Sequence, residues 1–106
     1  MVIRDEQNSR ELVIAADFGT SGVKLAALDR SLSLLATAAE AYPLSLPGPD
    51  RAEQQPDDWW QALRRGIAAL HDQIPDLRER AVALVPCAQM CGLVCVDRAG
   101  DVLRPA

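Results

Sequence analysis

The sequence predicts an α/β fold in which a mixed β-sheet, with strands joined as hairpins, packs against at least one helix. Two short apolar runs, at 12–16 and 23–28, flank a turn that contains glycine, which is typical of a β-hairpin. After Pro56, apolar residues recur at intervals of three and four, which is typical of an amphipathic helix. A hairpin followed by a helix and further apolar runs indicates an α/β arrangement.

The first predicted strand ends at a carboxylate. Residues 12–16 are apolar and partly β-branched, as expected of a buried strand, and Asp17 follows them directly. A carboxylate beside such a strand needs a cationic or hydrogen-bonding partner to offset its desolvation. Mg²⁺ with bound phosphate is one such partner, and a local turn is another. The residues alone leave both open.

The predicted turn after Asp17, at 18–22, is short enough for a tight hairpin. Its glycines can adopt positive φ angles and let a ligand approach the backbone, and its successive N–H groups can form an anion-binding concavity. The second strand, 23–28, contains Lys24, the only lysine among eleven basic residues. A compact ammonium suits a point contact with phosphate. The alternative is an ordinary hairpin with a lysine on its surface.

The rest of the chain is divided by turn residues. The predicted elements are a turn at 29–33, a third strand at 34–42, a loop at 43–55, a helix from Pro56, a loop at 74–80, and fourth and fifth strands at 81–85 and 93–97. Trp60, Leu63, Ile67 and Leu70 share one face of the helix. We expect the Trp59–Trp60 pair to pack in the core rather than to stack on a sugar.

Composition limits the partners. The chain has 106 residues, a net charge of −4 and no basic cluster, which argues against nucleic acid or an anionic membrane surface as a partner. No apolar run is long enough to span a membrane. Residues 1–10 lack the apolar stretch of a signal peptide, so we expect a disordered lead-in before a domain at 11–106, and a cytoplasmic protein.

The three cysteines follow one another at steps of four. Cys87, Cys91 and Cys95 therefore raise the hypothesis of a metal or cluster site, but a fourth ligand and a nearby histidine are missing. We favour ordinary buried thiols at Cys87 and Cys95. An odd number of cysteines without a disulfide framework fits a reducing compartment.

Three segments, in order along the chain, resemble the FGGY carbohydrate kinases of the actin, Hsp70 and hexokinase superfamily, most closely the xylulokinases. DFGTSGVK (17–24) resembles the first phosphate motif, AEQQPDDWW (52–60) the acidic, Gln, Pro and paired-Trp segment, and AQMCGLVCVDRAGDVLRPA (88–106) the substrate segment. The resemblance runs from about residue 11 to 106. It implies the N-terminal part of the first domain of such a kinase, an incomplete ribonuclease-H-like domain, with the second domain absent.

The resemblance also implies roles for the first segment. Asp17 is the carboxylate that holds Mg²⁺, usually through water. Gly19, Thr20 and Ser21 offer backbone and hydroxyl donors to the phosphates of ATP, and Lys24 adds positive potential. Phosphoryl transfer depends mainly on positioning and charge neutralisation, which these residue types provide.

The third segment is implied to bind the sugar. Gln89, Met90 and Cys91 stand where xylulokinases usually carry Gln-Met-His, so a thiol replaces the imidazole at Cys91. A thiol is a much weaker hydrogen-bond partner, which leaves the sugar open, with a ketopentose such as D-xylulose as the family-level expectation. The general-base Asp is expected downstream, so no catalytic residue is assigned here. Asp29 and Asp97 are expected in turns or on the surface.

Three functions remain open at this point. The first is an ATP-dependent sugar kinase that transfers the γ-phosphate to a sugar hydroxyl, with the isolated chain inactive. The second is a non-catalytic actin-like nucleotide sensor or degenerate kinase, and the third is a small stand-alone interaction domain. An incomplete sheet exposes apolar surface and unpaired edges, so the first function also implies that the chain self-associates.

Overall fold

The computed structural model describes residues 10–106 as a four-stranded mixed sheet packed against one long helix, with a small separate hairpin. The elements are β1 (Leu12–Phe18), β2 (Gly22–Asp29), β3 (Leu34–Ala41), β4 (Ser45–Gly48), β5 (Arg51–Glu53), α1 (Pro56–Gln73), α2 (Leu77–Arg80) and β6 (Ala81–Ala88). The order in the large sheet is β3-β2-β1-β6, with β6 parallel to β1 and the other pairs antiparallel. The predicted α/β class, with hairpin strands and a packed helix, is confirmed.

The core lies between one face of this sheet and α1. Side chains alternate between the two faces of a strand, and in β1 the buried residues are Leu12, Ile14 and Ala16. Their neighbours in β2 are the buried Val23, Leu25 and Ala27. Residues at the intervening positions, including Asp17 and Lys24, therefore point to the opposite face.

Helix α1 presents a face of partly small residues to the sheet. Its buried residues are Ala62, Leu63, Gly66 and Leu70. A Cβ at Gly66 would collide with the Leu25 side chain of β2, so glycine at this position allows the helix to lie close to the sheet. Pro56 occupies the start of the helix, with Asp57 and Asp58 in the first turn, as the sequence predicts.

The prediction that both tryptophans pack in the core is wrong for Trp60. Trp59 is partly buried against the core, whereas Trp60 is 57% exposed. The centre of the buried face runs through Ala62, Gly66 and Leu70. The sequence prediction used the spacing of large apolar residues, so it did not count Ala62 and Gly66. Trp60 lies at the edge of the face that these small residues define.

Three predicted segments differ from the structure. The loop predicted at 43–55 contains the hairpin β4–β5, and the loop predicted at 74–80 contains the short helix α2. The strand predicted at 93–97 is wrong, because this segment forms only an isolated bridge between Val96 and Val102. Here the Asp97 carboxylate accepts hydrogen bonds from the N–H groups of Ala99 and Asp101, which closes a turn instead.

The turn role predicted for Asp29 and Asp97 is confirmed. Asp29 accepts hydrogen bonds from the N–H groups of Ser31 and Ser33, in the same pattern as Asp97. Residues 1–9 of the predicted lead-in lie outside the described residues. Its last residue, Arg10, forms an ion pair with Asp76, which precedes α2.

The prediction of a buried thiol is wrong for Cys87 and is met only in part by Cys95. Cys87 and Cys91 are exposed and Cys95 is partly buried. Cys87 is exposed because β6 is an edge strand that α1 does not cover. Within residues 10–106, no group of three or more His, Cys, Asp or Glu side chains is placed to hold a metal ion. No helix in this range is long and apolar enough to cross a membrane.

Substitution of Gly22 by alanine tests the spacing between β2 and β3. A Cβ at Gly22 would press on the backbone carbonyl of Glu40 and lie 3.1 Å from the Cα of Ala41. Because backbone rather than a flexible side chain must shift, we expect Gly22→Ala to lower the free energy of unfolding by about 1–3 kcal/mol, measured by urea denaturation.

Gly48→Ala is the matched control, because a Cβ there meets only the Arg51 side chain, at 3.9 Å. We expect a change of at most about 0.5 kcal/mol. Equal effects of the two substitutions would contradict the close approach at Gly22.

Self-association of the chain stays a prediction, and the exposed strand β6 offers a surface for it. Val82, Leu84 and Val85 are 58%, 43% and 54% exposed on this edge strand. An unpaired apolar edge favours pairing with a second copy, so we expect light scattering to give a mass above that of the monomer. Val82→Lys should lower that mass, while Leu32→Lys, in the β2–β3 turn, should leave it unchanged. A monodisperse monomer would contradict the prediction.

Candidate functional site

The parallel pairing of β1 and β6 brings two of the predicted site segments together. Parallel strands end at the same edge of a sheet, so the turn after β1 and the segment after β6 are neighbours. The ladder continues one step past β6, where the Gln89 N–H donates to the Phe18 carbonyl at 3.0 Å. The turn predicted to bind phosphate, Gly19–Ser21, is called the phosphate turn below. It thus lies beside Gln89, Met90 and Cys91.

The phosphate turn is held by its own ends and by Tyr42. The Gly19 N–H donates to the Gly22 carbonyl at 2.9 Å, and the Tyr42 N–H to the Ser21 carbonyl at 3.2 Å. The Tyr42 hydroxyl donates to the Gly19 carbonyl. In the described part of the chain, the N–H groups of Thr20 and Ser21 have no acceptor. Two adjacent N–H donors and two hydroxyls at one exposed turn suit an anion such as phosphate.

Asp17 and Lys24 lie beside this turn on the sheet face that α1 does not cover. They are direct partners across β1 and β2, and both are exposed. No ion pair joins them or links either one to another residue of the range 10–106. They line an open cavity of about 640 Å³ together with Cys87. An exposed carboxylate without a cationic partner is chemically suited to water-mediated Mg²⁺ binding.

A second cavity, of about 800 Å³, opens on the α1 side of the sheet end. It is lined by Thr20, Gln89, Met90 and Cys91 together with both tryptophans of α1. Met90 is 89% exposed, and Cys91 has a φ of 67°, in the left-handed region. The structure therefore divides the predicted site residues. Thr20 lies with the residues predicted to bind sugar, at 89–91, which are called the sugar segment below, whereas Asp17 and Lys24 line the other cavity.

Gln54 is a site residue that sequence analysis missed. It is 7% exposed and lies between β5 and α1. Its amide Nε2 donates to the Thr20 carbonyl at 2.7 Å, and its Oε1 accepts from Trp59 Nε1 at 3.1 Å and from Gln89 Nε2 at 2.9 Å. Its backbone exchanges two hydrogen bonds with Ala106. The AEQQPDDWW motif marked this position, but nothing in the sequence showed which atoms it would meet.

Tyr42 is the second residue that was missed. It was predicted only as the end of the third strand, and it is in fact buried behind the phosphate turn. Burial raises the pKa of Tyr42, and the negative charge of Asp17 raises it further. The neutral phenol is thereby favoured, which keeps the hydroxyl able to donate to the Gly19 carbonyl.

Comparison with known proteins decides the family. A family model for the N-terminal domain of the FGGY family of carbohydrate kinases matches residues 12–106. The chain belongs to this family. Xylulose kinase from Escherichia coli K12 is 38% identical over 97 residues, covering 90% of this chain and 19% of that protein. Xylulose kinase from Staphylococcus epidermidis RP62A is 34% identical over 98 residues, covering 92% of this chain and 20% of that protein.

Solved structures of sugar kinases confirm the fold. The xyloylose kinase from Brucella ovis superposes with a TM-score of 0.86 at 32% identity, covering 90% of this chain and 20% of the other. The xylulose kinase from Rhodospirillum rubrum gives 0.82 at 28% identity, with the same coverage. The predicted ribonuclease-H-like fold of the actin and hexokinase type is thereby confirmed. The chain spans about one-fifth of the length of these relatives.

Tyr42 is the only tyrosine, so its ionisation can be followed by phenolate absorbance alone. We expect a titration midpoint above the ordinary pKa of 10.0. Because the folded pKa is raised above the unfolded value, this contribution to stability is fully present below pH 10.0 and is lost as pH rises through the folded pKa.

Asp17→Asn separates the two causes, since it removes the nearby charge and leaves the burial. The midpoint should fall in this variant but stay above 10.0. A midpoint at or below 10.0 in the unchanged protein would contradict the buried, hydrogen-bonded phenol.

Proposed function

We propose that this chain supplies the phosphate turn and part of the sugar site of a cytoplasmic ATP-dependent sugar kinase. The reaction transfers the γ-phosphate of ATP to a hydroxyl of a small sugar. The observation that carries the proposal is the hydrogen bond from Thr20 Oγ1 to Gln89 Oε1, at 3.1 Å, because it joins the proposed phosphate and sugar residues directly. Membership of a carbohydrate kinase family supports it.

In this proposal the phosphate turn binds ATP. The free N–H groups of Thr20 and Ser21 and their hydroxyls donate to phosphate oxygens, and Gly19 lets the phosphates approach the backbone. Asp17 would hold Mg²⁺, and Lys24 would add a positive charge on the same face. ATP supplies the phosphoryl group and Mg²⁺ neutralises its charge when they are bound.

The proposed sugar site lies in the cavity beside α1. The side-chain amide of Gln89 hydrogen-bonds to sugar hydroxyls, and Met90 and Cys91 form the adjoining wall of the cavity. D-Xylulose is the substrate we propose, because the similar proteins from Escherichia coli and Staphylococcus epidermidis are xylulose kinases. Since no aspartate of the described chain lies beside Gln89 in this cavity, we propose that the general base comes from outside this segment and that the segment alone is inactive.

The test is sugar-dependent release of ADP from Mg²⁺-ATP by the longest product of the reading frame that encodes this chain. D-Xylulose should give turnover, measured against a panel of other ketoses and polyols. Asp17→Asn should lower kcat/KM by at least about 10–100-fold, the usual cost of losing a residue that orients a metal through its ligands.

Asp50→Asn is the matched control, because Asp50 is an exposed aspartate in the β4–β5 turn. The kcat/KM of this variant should equal that of the unchanged protein. A folded long product that binds Mg²⁺-ATP without turnover of any sugar would contradict the kinase and favour a nucleotide sensor. Turnover unaffected by Asp17→Asn would contradict the role of Asp17.

A further inference from the structure

Thr20, Gln54 and Gln89 form a closed ring of three hydrogen bonds. Thr20 Oγ1 donates to Gln89 Oε1 at 3.1 Å, Gln89 Nε2 donates to Gln54 Oε1 at 2.9 Å, and Gln54 Nε2 donates to the Thr20 carbonyl at 2.7 Å. Each residue gives one hydrogen bond and receives one within this Thr–Gln–Gln ring. The ring connects the phosphate turn to the sugar segment through a residue that belongs to neither.

Neighbouring groups that can only donate or only accept fix the direction of each hydrogen bond in the ring. Trp59 Nε1 can only donate, and it donates to Gln54 Oε1 at 3.1 Å, which identifies that atom as the oxygen. Gln54 Nε2 faces the carbonyl oxygens of Thr20 and Pro43, which can only accept. Gln89 must then turn its Nε2 toward Gln54 and its Oε1 toward Thr20. The Thr20 hydroxyl is left as the donor to Gln89.

A hydroxyl has a single proton, so Thr20 cannot donate to Gln89 and to a phosphate oxygen at once. When the hydroxyl turns to phosphate, Gln89 Oε1 loses the only donor that the described residues supply to it. A sugar hydroxyl in the adjoining cavity can replace that donor. Without phosphate, Gln89 Oε1 already accepts from Thr20, so a sugar hydroxyl adds a second hydrogen bond to a satisfied oxygen instead of replacing a lost one, which stabilises the complex less.

We propose that Gln54 is a positioning residue that closes this ring, and that the Thr20 hydroxyl is shared between phosphate and Gln89, so that binding of a nucleotide phosphate strengthens binding of sugar. The inference rests on the proposed function. The shared Thr20 hydroxyl couples the free energies of nucleotide and sugar binding, which separate roles of Thr20 and Gln89 would not do. By linkage, the sugar strengthens nucleotide binding by the same factor.

The experiment measures the Kd of D-xylulose by titration calorimetry, with and without saturating MgADP, on the longest product of the reading frame. MgADP supplies phosphate oxygens without reaction. We expect MgADP to lower the Kd of D-xylulose about fivefold or more, and D-xylulose to lower the Kd of MgADP equally. Thr20→Ser keeps a hydroxyl and should keep the coupling.

Thr20→Val gives the sharpest signature. It leaves Gln89 Oε1 without its Thr20 donor, so D-xylulose without nucleotide should bind about as tightly as it binds the unchanged protein with MgADP. The Kd of D-xylulose without MgADP divided by its Kd with MgADP should therefore fall to about one in this variant. A loss of structure would weaken sugar binding instead of strengthening it. Thr20 is exposed, which allows the substitution without disturbing the core.

Gln54→Leu and Gln55→Leu form a matched pair of neighbouring glutamines, one buried and one exposed. Gln54→Leu should abolish the coupling, because Gln89 is no longer oriented, whereas Gln55→Leu should keep it. If Gln54→Leu does not fold by circular dichroism, Thr20→Val decides the question.

The outcomes separate this inference from the proposed function. A Kd ratio of one in the unchanged protein, with both ligands bound, overturns the coupling and leaves the kinase proposal standing. Weaker sugar binding in Thr20→Val without nucleotide also overturns it. If the unchanged protein binds neither D-xylulose nor MgADP, the proposed function fails and this inference fails with it.

Discussion

The parallel pairing of β1 with β6 is the constraint on which the site depends. These strands are separated in the chain by the β2–β3 extension, the small hairpin and both helices, yet their carboxyl ends meet at one edge of the sheet. A helical crossover between parallel strands produces this arrangement, since the chain must return to the same end before the second strand begins. Without this pairing, the Thr20 turn and the Gln89 segment would have no reason to be adjacent.

The crossover also explains why a buried amide lies at the junction. Gln54 enters from the chain just before α1 and meets the ends of both strands at once. Leaving a buried polar group without a partner costs about 1–3 kcal/mol, so a residue in this position must be hydrogen-bonded on every side. Gln54 meets that requirement with its side chain and with its backbone, which pairs with Ala106. The same bonds that satisfy its burial fix the relative position of its neighbours.

Sequence reasoning predicted the parts of the fold that carry a strong local signal. The β1–β2 hairpin, its glycine turn and the start of α1 at Pro56 follow from apolar periodicity and turn chemistry, and they are confirmed. The hairpin β4–β5 was missed because its strands are only four and three residues long and because β4 contains proline and glycine. The apolar run at 93–97 was misassigned because its pattern suits a strand, whereas Asp97 forms a turn with the N–H groups that follow it.

The residue types of the candidate site can be read from the sequence, but their geometry cannot. A carboxylate, hydroxyls and a lysine around one glycine turn are visible in the sequence, and they raise the hypothesis of phosphate binding beside that of an ordinary hairpin. That Asp17 and Lys24 face one cavity while Thr20 faces another depends on strand register and on the side that α1 covers. The role of Gln54 depends on contacts 34 and 35 residues apart in the chain, at Thr20 and Gln89. Long-range contacts of this kind leave no trace in local residue patterns.

The backbone of Cys91 has an evolutionary consequence. With a φ of 67°, this position admits glycine freely and asparagine, aspartate and histidine readily, but it penalises valine, isoleucine and threonine. The histidine that xylulokinases usually carry at the corresponding position is among the tolerated residues. An exchange between histidine and cysteine can therefore alter what the cavity wall offers to a ligand without any rearrangement of the main chain. The side chain at this position can therefore change while the main chain stays constant.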